Sequence, residues 1–214
     1  MALIAHDNGS DFMIVPQGLH MARCYRVIDL GTQRQEWSGK ERWSRKILIQ
    51  WEIYGTDDDG QPLETDDGRP LSVSKRYTLS LSEGANLRQD LKAWRGREFT
   101  PDELSGFDVK NLLSVPCMLN VTHADRNGKT YANVASVSPV PKEMRDKLSA
   151  QINISQLYDI SDPDDEVFNS LSDRLQDVIN SSRERLKVST NRVARESSQT
   201  TPQTYAELEN DIPF

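Results

Sequence analysis

Histidine and cysteine, the residues of most metal centres and many nucleophilic sites, are scarce here: three His and two Cys in 214 residues. His6, His20 and His123 stand far apart, without the H-E-x-x-H spacing that puts two imidazoles on one helix face. There is no G-x-x-x-x-G-K-[ST], G-x-G-x-x-G or G-x-S-x-G, so the common phosphate-cradling loops and the nucleophile elbow are missing. Cys24 and Cys117 both lie in alternating apolar segments, where buried free thiols are expected rather than a disulfide framework or a zinc site. No apolar run approaches the ~20 residues of a membrane span. Met1 to Asp11 lacks a basic start and is interrupted by His6 and Asp7, so a signal peptide is not expected and a cytoplasmic chain is. With 36% hydrophobic residues and a mean hydropathy of −0.66, part of the chain is expected to lie outside any core.

Positive charge is also in deficit. Twenty-six Lys and Arg against 33 Asp and Glu give −7 and a pI near 5.1, which at face value argues against a nucleic-acid partner. The average conceals a strong partition. Residues 31–50 carry +3 (Arg34, Lys40, Arg42, Arg45 and Lys46 against Glu36 and Glu41), and residues 71–100 carry +3 again. Residues 51–70 carry −6 and residues 151–180 another −6. In the last ten residues Glu207, Glu209, Asp211 and the terminal carboxylate meet no cation.

From Gly18 to about Pro139 the chain reads as short strands. Ala22, Cys24, Ile28 and Leu30 share one parity in the first; Ile47, Ile49, Trp51 and Ile53 alternate with Lys46, Gln50, Glu52 and Tyr54 in the second; Leu71 to Leu81 alternates as a third. A helix follows, with Ser82 or Asn86 as candidate N-cap, Leu87, Leu91 and Trp94 on one face, and Gly96 as its stop. Thr100-Pro101-Asp102-Glu103 is a capping box that starts another. Two more strands, Pro116 to His123 and Thr130 to Val137, flank Asn127-Gly128, a hairpin signal. Three strands, a helical insertion and two strands is the order of a five-stranded OB-fold barrel, so the expected class is all-β with minor helices, the helical insertion lying between strands 3 and 4. Other small antiparallel barrels and α+β folds accommodate the same order.

The expected divisions are an N-terminal arm, 1–17; the barrel, 18–141; an acidic segment with a short amphipathic helix, 142–187; a disordered linker, 188–204; and an acidic tip, 205–214. Val167, Phe168, Leu171, Leu175, Val178 and Ile179 form the apolar face of that helix, which is expected to dock on the barrel or another subunit.

Basic residues interleaved with aromatics suit a single-strand binder, because phosphates are neutralised along a groove while unstacked bases recover about 1–3 kcal/mol each on aromatic faces. Candidate stacking residues are Tyr25, Trp37, Trp43, Tyr54 and Tyr131; candidate phosphate partners are Arg23, Arg42, Arg45, Lys46, Lys75, Arg76, Arg126 and Lys129. Trp51 shares its parity with three isoleucines and is expected in the core. Asp57, Asp58, Asp59, Asp66 and Asp67 sit among glycines, where turn chemistry accounts for them better than a metal-dependent nuclease. No catalytic residue, cofactor, metal or small-molecule substrate is expected.

The acidic end finishes in Asp211, Ile212, Pro213 and Phe214, a composition suited to capture of an aromatic side chain and a carboxylate in a basic-rimmed pocket. These residues resemble the tip of bacterial single-stranded DNA-binding proteins. The resemblance implies recruitment of replication, repair and recombination proteins, and competition with DNA for the basic groove. Over about 18–141, the stretches 22–32, 75–81, 91–97 and 132–137, with Phe107-Asp108-Val109, Leu112-Leu113 and Pro116-Cys117, are similar to bacteriophage single-stranded DNA-binding proteins of OB fold. That resemblance implies a non-enzymatic protein that coats single-stranded DNA with little sequence preference, during phage replication and recombination in the host cytoplasm. The alternative is an adaptor whose barrel recognises protein and whose tail imitates a host tip to sequester host enzymes.

Overall fold

The computed structural model describes residues 13–186, apart from the side chain of Trp37. The linker 188–204, the tip 205–214 and most of the N-terminal arm lie outside the described residues. The elements are β1 (Gly18–Trp37), β2 (Lys40–Tyr54), β3 (Ser72–Thr78), α1 (Asn86–Arg95), α2 (Pro101–Ser105), β4 (Pro116–Arg126), β5 (Lys129–Ser138), β6 (Gln156–Tyr158), α3 (Asp165–Asn169) and α4 (Asp173–Asn180). The chain is therefore mostly antiparallel sheet with short helices. Strands run β3-β2-β1-β4-β5, and β6 pairs parallel with β1 from Arg26↔Gln156 to Ile28↔Tyr158. As expected, α1 and α2 fall between β3 and β4. β3 and β5, the two ends of the path, come close to each other, with no hydrogen-bonded ladder between them among the described residues.

Alternation in β2 does what the sequence predicts: Ile47, Ile49, Trp51 and Ile53 are buried in the principal core. In β1 the predicted parity fails. The register against β2 slips between Cys24 and Arg26 and again between Asp29 and Gly31, leaving Tyr25 and Leu30 unpaired. Each bulge adds one residue and reverses the faces beyond it. Ala22, Cys24 and Val27 consequently enter the principal core, whereas Ile28 and Leu30 join Leu48 in a second apolar cluster.

Tyr158, Ile160, Leu171 and Ile179 close that second cluster. The single amphipathic helix expected over 167–179 is two, because the chain breaks at Ser170–Ser172 between α3 and α4. α4 packs against β1 and α3 against β6, their apolar residues lying on the second cluster, so the acidic segment is a cover on the sheet. Gly31 permits the closest approach: a Cβ there would lie 2.6 Å from the Ser182 Cβ. A second attachment is Glu52, fully buried on β2. Its carboxylate accepts hydrogen bonds from the backbone N–H of Ile152 (3.0 Å) and Asn153 (2.8 Å), from the Asn153 amide (2.8 Å) and from the Tyr54 hydroxyl. The end of the N-terminal arm is also anchored, since Val15 is in the core and its carbonyl accepts from His123 at 2.8 Å.

α1 buries Leu87, Leu91 and Trp94 and ends at Gly96 in the left-handed conformation, but its N-cap is Ala85 rather than Ser82 or Asn86. The capping box at Thr100 and Glu103 is present. Glu103 also receives Arg97 through two hydrogen bonds (2.7 and 2.9 Å) and Arg95. Arg97 first, then the Thr100 backbone N–H, hold its carboxyl down at about 2 rather than the ordinary 4.5. A folded-state value below the unfolded one means that this stabilisation is complete above the unfolded value and lost as pH falls through about 2. In a carboxyl-carbon NMR titration Glu103 is expected to stay ionised at pH 3; a midpoint at the ordinary value would refute the capping geometry.

Both cysteines are buried free thiols, as expected. Burial pushes Cys24 up to about 12 and Cys117 well above its ordinary value, which removes the thiolate that reactive cysteines need.

Candidate nucleic-acid interface

Two hairpins carry most of the predicted aromatic and basic residues. β1 and β2 continue to the tip of their hairpin and join through Ser38 (φ 51°) and Gly39 (φ 73°) alone. Positive φ at both central residues is the two-residue turn whose twist matches that of paired strands. The result is a long arm with Arg34 paired to Trp43 and Gln35 to Arg42. The Trp43 ring is 42% exposed, and the Arg183 guanidinium from beyond α4 stands 5.9 Å from its centre. Asn127 (φ 53°) and Gly128 (φ 73°) make the same turn between β4 and β5. There Arg126 pairs with Lys129, and Tyr131 is 43% exposed.

The predicted cations divide into committed and uncommitted groups. Arg23 donates to the carbonyl oxygens of Ser114 (2.9 Å) and Ser149 (3.2 Å), holding two loops together. Arg45 pairs with Asp29 and lies 3.6 Å from Asp159; the bond to Asp29 raises its pKa. Lys75 is 2.7 Å from Asp90, which also accepts from Tyr77. These three predicted phosphate partners are occupied within the fold. In contrast, Lys40, Arg42, Lys46, Arg76, Arg126 and Lys129 make no ion pair among the described residues.

Three of the uncommitted cations form a row. Lys46 is opposite Thr78, and Leu48 opposite Arg76, so Lys46 and Arg76 are diagonal neighbours on one face of the β2–β3 ladder. The Lys46 ammonium donates to the Thr78 hydroxyl at 2.7 Å. Burial, then repulsion from Arg42, pushes the Lys46 pKa down. Burial, then repulsion from Arg174 of α4, does the same to Arg76. Like charges facing each other without a counter-ion create a local field that an anion relieves. Arg174 escaped the sequence reading because it is the single cation among seven acids in 151–180; only its docking beside β3 reveals it.

Among the aromatics, Tyr25 and Tyr54 do not present a stacking face. Tyr25 is 6% exposed and Tyr54 7%. Tyr25 is the first bulge residue, with Arg26 at 5.4 Å from its ring centre; the Tyr54 hydroxyl is tied between Arg23 and the buried Glu52. Trp51 lies in the core, 5.9 Å from Trp94 between ring centres. The side chain of Trp37 is outside the description, so Trp43 and Tyr131 are the exposed stacking candidates that are described.

The acidic loop between β2 and β3 uses its carboxylates for turns. Asp57 accepts from the N–H groups of Asp59 (3.0 Å) and Gln61 (2.7 Å), and Asp67 pairs with Arg69 at 2.7 Å. Among the described residues no cluster of three or more His, Cys, Asp or Glu is placed to hold a metal ion, and no helix is long and apolar enough to cross a membrane. No protein-family model and no curated protein matches the chain.

Proposed function

We propose that the chain is a phage-encoded single-stranded DNA-binding protein whose sheet is a five-stranded barrel of OB type. The strand order supports the barrel, because β3 and β5 at its ends are the pair whose approach closes such a fold, and this architecture binds oligonucleotides on its β2–β3 face and on the β1–β2 and β4–β5 loops. The observation that carries the function is the row Arg42, Lys46 and Arg76, which makes no ion pair among the described residues, extended by Arg174. Trp43 on one hairpin and Tyr131, Arg126 and Lys129 on the other complete the interface. Phosphates take the cations, bases stack on the two rings, and nothing in the arrangement reads a base edge, so sequence preference is weak. The tip 205–214 serves as the recruitment element for host or phage replication proteins, through its carboxylates and Ile212-Pro213-Phe214.

A fluorescence titration with oligo-dT at two salt concentrations tests the reading. Tryptophan quenching is expected, with log K falling steeply against log salt at about 0.7 per neutralised phosphate. Absence of quenching, or tight binding indifferent to salt, overturns it.

A further inference from the structure

The acidic cover ends at the candidate interface. Residues 151–180 hold seven acids and one cation, Arg174, and the next cations along the chain are Arg183 and Arg185. Arg174 lies near enough to Arg76 for their repulsion to lower the Arg76 pKa, and the Arg183 guanidinium stands over the Trp43 ring, 5.9 Å from its centre. An acidic segment thus delivers positive charge to the basic row. Arg183 is exposed and makes no ion pair among the described residues. Arg185 is used differently, donating to the hydroxyl of the buried Tyr158 at 2.6 Å.

The placement of Arg183 is fixed from both sides. Ser182 is fully buried, with its Cβ against Gly31, and Glu184 accepts from the Thr32 N–H at 2.8 Å and the Thr32 hydroxyl at 2.6 Å. Four residues before Ser182, the Val178 carbonyl accepts from the Gln33 side chain at 2.9 Å. Gly31, Thr32 and Gln33 lead directly to Arg34, which is opposite Trp43 across the arm. A guanidinium within about 6 Å of an indole face is attracted to it, and its flat shape stacks where an ammonium does not. Backed in this way, the exposed remainder of the Trp43 ring is held ready for a base, and less side-chain freedom is lost on binding. We propose that the cover is a wall of the single-strand site, with Arg183 as a positioning residue that backs Trp43 and, together with Arg174, adds charge for phosphates. This inference rests on the DNA-binding reading. Because the sheet alone lacks both cations, docked and open covers differ in affinity for the strand, and by linkage the strand holds the cover down by the same factor.

The test combines oligo-dT titrations of the full chain at several salt concentrations with hydrogen exchange of the α4 amides. Arg183→Ala is expected to weaken binding about tenfold and to reduce the salt slope by about 0.7. Arg183→Lys is expected to keep the slope yet bind about threefold more weakly, since it retains the charge and loses the stacking. In the unaltered chain, saturating oligo-dT should slow α4 exchange about tenfold or more, the counterpart of the affinity lost when the cover opens. Full affinity in Arg183→Ala, full restoration by Arg183→Lys, or α4 exchange indifferent to oligo-dT would overturn the proposal and leave the DNA-binding reading in place. No oligo-dT binding by the unaltered chain would remove that reading, and this inference with it.

Discussion

Replacing Arg42, Lys46 and Arg76 together with alanine is expected to weaken oligo-dT binding about 10²–10³-fold at low salt and to reduce the salt slope by about 2, since each cation lost leaves roughly 0.7 of a counter-ion unreleased. The reason is geometric. Lys46 and Arg76 share a face of the β2–β3 ladder, and each faces a like charge rather than a carboxylate. Folding is expected to be unchanged or slightly improved, because the substitutions relieve repulsion. The control is Lys75→Ala, one residue from Arg76 but paired to Asp90 at 2.7 Å. It should lower the melting temperature while leaving the salt slope alone. Titrations at several salt concentrations, with circular dichroism to verify folding, decide the matter. Equal loss in the control would mean that the general field of the domain, not this row, attracts DNA.

The largest effect on stability is expected from Gly31→Ala. Gly31 sits at φ +70°, and an added Cβ would lie 2.6 Å from the Ser182 Cβ and 2.9 Å from both the Glu184 carboxylate and the Ile160 side chain. A left-handed non-glycine residue costs about 1–2 kcal/mol, and overpacking against a buried segment costs about 1–3 kcal/mol more. A total near 3 kcal/mol corresponds to a fall of about 6–12 °C in Tm for a fold of this size. The displaced segment also carries Glu184, which accepts from the Thr32 N–H at 2.8 Å and the Thr32 hydroxyl at 2.6 Å, and Arg183 beside Trp43. Trp43 emission should therefore shift on mutation. Gly39→Ala isolates the backbone share, because Gly39 has φ +73° and nothing within 4 Å of its would-be Cβ. If the two variants melt together, the cover does not approach β1 as described.

Local chemistry explains what could be read beforehand. The β2 alternation, the Asn127-Gly128 turn, the Thr100 capping box and the Gly96 stop each depend on a few neighbouring residues, and each is present. The misreadings share a different origin. A bulge is one unpaired residue with no side-chain signature, so the face change in β1 after Tyr25 was illegible, and with it the burial of that ring. The long β1–β2 arm was equally illegible, because the stretch 38–42 is polar and an exposed hairpin arm needs only backbone pairing and one tight turn.

Charge shows the division most clearly. The sequence by itself determined that a chain of −7 holds two basic regions interleaved with aromatics, and that its acids gather in one loop, one cover and one tip. Which cations remain available was decided only by tertiary structure. Arg23, Arg45 and Lys75 found carbonyl or carboxylate partners, those of Arg23 and Lys75 from outside the sheet. Among the described residues Arg42, Lys46 and Arg76 found none, and α4 set Arg174 near the last of them. Composition counts charges, but the field an anion meets depends on which of them the fold has already neutralised at contact distance, and that pairing is long-range in sequence.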